Sequence, residues 1–377
     1  MVSSKYLRLT PPKIILIGFL LLILTGTLLL MLPFATRNGE GAPFLDALFT
    51  ATSATCVTGL VCHDTALYWT FFGQAVILLL IQIGGLGVIT TTIAVSVIMR
   101  KKVGLKQRWI MQESISAPQV GGIVRITGFI LKTAFIIEGA GVLLLAIRFC
   151  PQFGWWKGIW YAVFHGISAF CNAGFDLMGG SGAFSSLTDY VNDPLVNCTV
   201  ALLIVLGGIG FLTWYDMKEH GVHLRRYSLQ SKLALTTTAV LIIGGFLIFL
   251  YEFHLPQWEH LTMGEKIQAA LFQSITPRTA GFNTVSLSEL SRVAQLVMIL
   301  LMLVGGCSGS TAGGFKTTTL AVLFLSIREF FIAGRSRGAL DAGFLHKRFS
   351  VRQRCLFCIY CCFSQGVFSS AVLTAFL

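Results

Sequence analysis

Apolar residues gather into long uncharged runs separated by short polar connections, the pattern of a chain that crosses a bilayer repeatedly. A helix needs about 20 mainly apolar residues to span a ~30 Å hydrocarbon core. Six runs meet that length: 14–34, 71–99, 123–149, 194–214, 233–253 and 293–327, the last interrupted. A seventh occupies 355–377. Three further apolar stretches, 44–54, 158–170 and 266–276, are too short to cross and read as re-entrant helices. The first run follows basic residues as a signal peptide would. Its nineteen uncharged residues, Ile14 to Leu32, and the lack of an Ala-x-Ala site after them favour a retained span.

Composition agrees with this pattern. Hydrophobic residues make up 55% of the 377 positions and charged residues 12%, against roughly 25% charged in soluble domains. An ordinary soluble enzyme is thereby excluded. With 12% aromatic residues, a disordered chain is excluded too. The net charge of +12 changes the picture only through its placement. Basic residues cluster before the first run (Lys5, Arg8, Lys13), after the second (Arg100, Lys101, Lys102, Lys106, Arg108), after the fourth (Lys218, Arg225, Arg226, Lys232) and after the sixth (Arg328 to Arg354). All four places fall on one side, and acids outnumber bases on the other. By the positive-inside rule the N-terminus is cytoplasmic, and no nucleic acid is needed to explain the basic balance.

The ten cysteines do not make a disulfide framework. Cys171, Cys198 and Cys307 sit in apolar segments, where a free cysteine behaves as a small hydrophobe. Cys355, Cys358, Cys361 and Cys362 have ligand-like spacing without an accompanying histidine cluster.

An internal repeat carries the candidate chemistry. After the three short apolar stretches the chain reads Thr58-Gly59-Leu60, Ala173-Gly174-Phe175 and Ala280-Gly281-Phe282, with glycine separations of 115 and 107 residues. The unit is span, short helix, glycine loop, span. Non-helical backbone at membrane depth is tolerated only where it is buried in protein or faces water. Glycine there can turn its carbonyl toward a shared axis, and a ring of such carbonyls replaces the hydration shell of a cation. A second glycine-rich stretch interrupts the sixth run, with five glycines between positions 305 and 314. At about 1 kcal/mol per glycine relative to alanine, no helix persists comfortably there. Either an unwound loop lining an aqueous path or a kink packed on a neighbouring helix fits that stretch.

The segments 51–60 (ATSATCVTGL), 168–175 (SAFCNAGF), 273–284 (QSITPRTAGFNT) and 305–317 (GGCSGSTAGGFKT) resemble the Trk/Ktr/HKT superfamily of potassium transporters, in particular its KtrB/TrkH-like ion-translocating subunits. The resemblance runs from the first span to about Arg354 and implies an all-α membrane protein with pseudo-fourfold repeats around one pore. It makes Thr58, Gly59, Asn172, Ala173, Gly174, Thr279, Ala280 and Gly281 selectivity-filter residues, with potassium at Gly59, Gly174 and Gly281. Some sodium-selective plant members carry serine in the first repeat, so glycine at all three positions favours potassium. Gly305, Gly306, Ser308, Gly309, Ser310, Thr311, Gly313, Gly314 and Lys316 become an intramembrane gating loop. The resemblance further implies a homodimer in the cell (inner) membrane, on a cytoplasmic nucleotide-binding regulatory subunit (TrkA/KtrA-like). Potassium is then the substrate, no cofactor is covalently held, and nucleotide acts only through that partner.

The repeats divide the chain into 1–108, 109–217 and 218–340, with 341–377 as the first helix of an incomplete fourth. From the glycine spacing a fourth filter glycine is expected near position ~390, beyond Leu377. Rival readings are a non-transporting fragment, a sodium-conducting or sodium-coupled member, and a membrane enzyme using the cysteine-rich end or scattered histidines. The stretch 309–317 nearly matches a phosphate-binding loop, but Phe315 separates Gly314 from Lys316 and no βαβ pattern surrounds it, which argues against ATP hydrolysis by this chain. Lys316 itself faces ions or a partner helix, or snorkels to the cytoplasmic side. Glu138 and Lys132, six residues apart inside the third run, each need a partner on another element. His220 and His223 read as a solvated surface.

Overall fold

The computed structural model describes residues 11–87, 104–114, 122–180 and 182–335. Among these residues the regular elements are helices, with two isolated bridges, Thr36 to Trp69 and Val304 to Phe315. The sequence-predicted seventh run and its cysteine cluster lie outside the described residues, as does the second run beyond Gly87.

The same order of elements occurs three times. α1 (Pro11–Leu30) is followed by the short α2 (Phe44–Cys56), a glycine loop, the one-turn α3 (Thr65–Tyr68) and α4 (Phe71–Leu86). After α5 (Leu105–Ser114) come α6 (Ile123–Phe153), the short α7 (Trp155–Phe170), a second glycine loop and α8 (Pro194–Gly208). α9 (Phe211–His220) leads to α10 (Leu229–Glu252), the short α11 (Met263–Ile275), a third glycine loop and α12 (Arg292–Leu303); α13 (Thr317–Arg335) closes the described chain. The predicted short helices thus exist with ends moved by a few residues. α11 starts early because Thr262 and Glu265 form a reciprocal capping box ahead of its apolar stretch.

α1, α6 and α10 are long and apolar enough to cross a membrane. Their outward faces carry Leu21, Leu28, Leu143, Ile147, Val240 and Ile243, all exposed. Exposed apolar faces of this kind are costly in water and suit lipid. Each short helix packs against the long helix that precedes it. Small residues allow the remaining close approaches: a Cβ on Gly84 of α4 would lie 2.0 Å from the Thr55 carbonyl at the end of α2, and one on Gly207 of α8 would lie 1.9 Å from the Phe170 carbonyl at the end of α7.

The fourth run departs from expectation. Instead of one span over 194–214, α8 stops at Gly208 and the chain turns by 93° into α9. Gly210 adopts φ +94°, which a side-chain-bearing residue rarely reaches.

The first and second glycine loops are pinned to each other through Asp64. Its carboxylate accepts the Ala66 and Leu67 amides at 2.9 and 3.0 Å and the Phe184 amide, 120 positions away, at 2.8 Å. Asp64→Ala removes the shared acceptor of all three amides, at about 0.5–1.5 kcal/mol net per hydrogen bond. A lower thermal midpoint of the purified protein in detergent is expected, partly restored by Asp64→Asn; an unchanged midpoint for the alanine variant would contradict the pinning role.

Candidate ion pathway

The three glycine loops converge. A Cβ on Gly59 would lie 2.5 Å from the Ala173 carbonyl oxygen and 3.5 Å from Gly174 Cα; one on Gly174 would lie 2.7 Å from the Ala280 carbonyl oxygen and 2.8 Å from Gly281 Cα. Gly59, Gly174 and Gly281 share a left-handed backbone, with φ of +77°, +71° and +80°. Two positions before each glycine stands a residue that is also left-handed, Val57, Asn172 and Thr279, with φ of 57°, 57° and 61°. This alternation turns the backbone sharply at the end of each short helix. Hydroxyls hold two of the loops: Ser168 Oγ donates to the Phe175 carbonyl at 2.7 Å and Thr276 Oγ1 to the Phe282 carbonyl at 2.6 Å. Thr58 Oγ1 instead donates to Ser53 Oγ at 2.8 Å. Two residues after Gly174, Asp176 accepts the Met178 amide at 2.9 Å, and burial, reinforced by the Asp64 carboxylate, pushes its carboxyl up to about 6.

Val304 to Lys316 is non-helical and ordered by its own hydrogen bonds. Gly305 N donates to the Phe315 carbonyl and Phe315 N to the Leu303 carbonyl, each at 3.1 Å, which closes the stretch into a loop. The broken fourth span supplies the other anchors. Gly208 O accepts Cys307 N at 2.9 Å, Gly207 O accepts Thr311 N at 3.2 Å, and Phe211 N donates to Gly309 O at 2.7 Å. Ser310 Oγ donates to the Cys307 carbonyl at 2.6 Å, and Ser308 Oγ lies 2.9 Å from Thr318 Oγ1. The Lys316 ammonium folds back onto the Ala312 carbonyl at 2.8 Å. Gly306 packs against Ala312 and Ser310, and Gly314 against Gly305. Backbone groups freed by unwinding thus pair across the two interrupted helices.

The family profile described as TrkH, cation transport protein, matches residues 11–363. The chain belongs to the Trk/Ktr family of cation transporters. Among its relatives, the potassium/sodium uptake protein NtpJ of Enterococcus hirae is 42% identical over 335 residues, covering 88% of this chain and 72% of NtpJ. The Ktr system potassium uptake protein B of Bacillus subtilis is 42% identical over 325 residues, 86% of this chain and 71% of the relative. The crystal structure of the potassium transporter TrkH from Vibrio parahaemolyticus shares the fold, with a TM-score of 0.58 at 20% identity; the match covers 89% of this chain and 65% of the TrkH chain. The Trk/Ktr relatives are cation transporters rather than enzymes.

In this Trk/Ktr chain, the site residues read from sequence fall into two adjoining groups, the glycine loops and the stretch from Gly305 to Lys316. Asn172 differs from its neighbours: its buried side chain reaches sideways, with Nδ2 3.5 Å from the Arg278 carbonyl. Arg278 itself escaped the sequence reading. Its guanidinium is buried, Nη2 donates to Thr238 Oγ1 at 3.1 Å, and Nε has no hydrogen-bond partner among the described residues. Glu138 is buried and finds its partner on α4, where Gln82 Nε2 lies 3.0 Å from both carboxylate oxygens. Lys132 is exposed on α6. Cys171 and Cys307 are buried, whereas Cys198 is exposed. The contribution of α8 was also missed, although three glycines at 207, 208 and 210 mark the break.

Proposed function

We propose that this chain takes up potassium across the cell (inner) membrane through the glycine loops at Gly59, Gly174 and Gly281, with 305–317 as the gate. The observation that carries the reading is the convergence of three left-handed glycines from separate loops. Carbonyls at such a meeting point can replace water around a desolvated cation. An inside-negative potential supplies ~2.3 kcal/mol per charge per 100 mV, enough to concentrate a monovalent cation without chemistry on the protein. The cytoplasmic side is the one bearing the exposed Arg225 and Arg226, with the N-terminus on the same side. A cytoplasmic nucleotide-binding subunit and a second copy of the chain complete the assembly, as the likeness to Ktr and Trk uptake proteins supports. The name of NtpJ favours one second reading, in which sodium is conducted as well.

Proteoliposomes carrying the purified full chain test both. Valinomycin-independent uptake of rubidium-86 or potassium, driven by an inside-negative potential and exceeding sodium uptake at least about tenfold, is the expected result. Equal sodium and potassium flux would move the assignment to the second reading, and absence of any cation flux from well-folded protein would remove the first.

A further inference from the structure

The residues at the left-handed position preceding each filter glycine differ in kind. Val57 is apolar, whereas Asn172 and Thr279 carry polar side chains, and these two side chains meet the loop at 305–316. Thr311 Oγ1 lies 3.2 Å from Asn172 Oδ1 and 3.0 Å from the Phe170 carbonyl, so one hydroxyl proton serves both acceptors. Gly313 N donates to Thr279 Oγ1 at 3.0 Å. The other end of the Asn172 amide donates to the Arg278 carbonyl, which joins the second glycine loop to the third. A non-glycine residue at positive φ is strained by about 1–3 kcal/mol and persists only where its surroundings hold it. For Asn172 and Thr279, those surroundings include the loop.

From this geometry we infer that Thr311 and Thr279 are positioning residues that couple ion occupancy of the filter to seating of the gate. The inference rests on the filter and gate assignment above. A potassium ion that favours the glycine-loop geometry described here also favours the hydrogen bonds to Thr311 and Gly313, and therefore the seated loop. By linkage the reverse holds with the same factor: unseating the loop weakens ion binding at the glycines. Gate opening and ion release toward the cytoplasm are then one event. The apolar Val57 side chain offers no such bond, so among the three described glycine loops the coupling runs through the second and third.

Cys307 is a built-in reporter, because it lies in the loop and is 1% exposed. The full chain in proteoliposomes is treated with N-ethylmaleimide in potassium, sodium or choline chloride at equal ionic strength, and modification of the Cys307 peptide is timed by mass spectrometry. Potassium is expected to slow labelling at least about threefold relative to choline in the unaltered chain and in Thr311→Ser. In Thr311→Val, which keeps the shape without the hydroxyl, protection disappears and the potassium-to-sodium flux ratio falls together with it. Equal labelling in all three salts by an unaltered chain that conducts potassium overturns the coupling while leaving the proposed function intact. Protection retained in Thr311→Val overturns the role of the hydroxyl. If the valine variant does not fold, the salt comparison on the unaltered chain still decides the coupling.

Discussion

Gly174→Ser is expected to abolish potassium-dependent growth of an uptake-deficient strain and to reduce the potassium-to-sodium flux ratio at least about tenfold. Two effects add. The backbone at φ +71° places any Cβ in the strained left-handed region, at about 1–3 kcal/mol. The atoms that the Cβ would meet, the Ala280 carbonyl oxygen at 2.7 Å and Gly281 Cα at 2.8 Å, belong to the backbone of the neighbouring loop. No flexible side chain can yield there, so the third loop itself must shift, and a tenfold loss of discrimination needs only about 1.4 kcal/mol. Gly39 provides the control: it has φ +74° but open space around its Cβ position. Gly39→Ser carries the same class of strain outside the glycine loops, with no atom within 4 Å of its Cβ position, and should leave discrimination intact. Equal behaviour of the two variants would mean that strain alone, rather than displacement of the third loop, is being measured.

Removal of 309–312 is the second large effect. The deletion eliminates the contacts of Gly309 with Phe211, and of Thr311 with Gly207, Phe170 and Asn172, while the pairing of Gly305 and Leu303 with Phe315 lies outside it. Each lost hydrogen bond contributes about 0.5–1.5 kcal/mol net, so together they are ample to shift a seated loop toward an unseated one. A rise of about tenfold or more in potential-driven potassium leak through proteoliposomes is expected. A monodisperse deletion variant with unaltered leak would show that the stretch does not obstruct the path.

Much of this arrangement was legible because its causes are local. The short helices follow from apolar runs too brief to cross, so 44–54 anticipates Phe44–Cys56 closely. The interruption of the sixth run follows from glycine density alone. What escaped depends on partners distant in sequence. A hydropathy window sees 194–214 as continuous; it breaks at Gly208–Gly210 because the carbonyls of Gly207 and Gly208 bond amides at 311 and 307. The resemblance places Asn172 with the filter residues, and only the tertiary structure adds that its side chain accepts from Thr311, 139 positions away. Glu138 announced itself as an ionisable residue needing a partner, and only the packing of α6 against α4 identifies Gln82. Arg278 gave no comparable signal: it stands between Pro277 and Thr279 like an ordinary loop cation, and its burial is a product of the tertiary structure.

The mutual completion of the broken fourth span and the loop at 304–316 limits how this protein can be recombined. Gly207, Gly208 and Phe211 present backbone partners that the loop needs, and the loop returns partners that the broken span would otherwise lack. Neither segment is a portable part. A chimaera that imports the glycine-rich loop into a backbone whose fourth span is an unbroken helix inherits a set of unmatched amides. Any interchangeable unit joins at least 207–211 to 304–317, a module discontinuous in sequence and continuous in space.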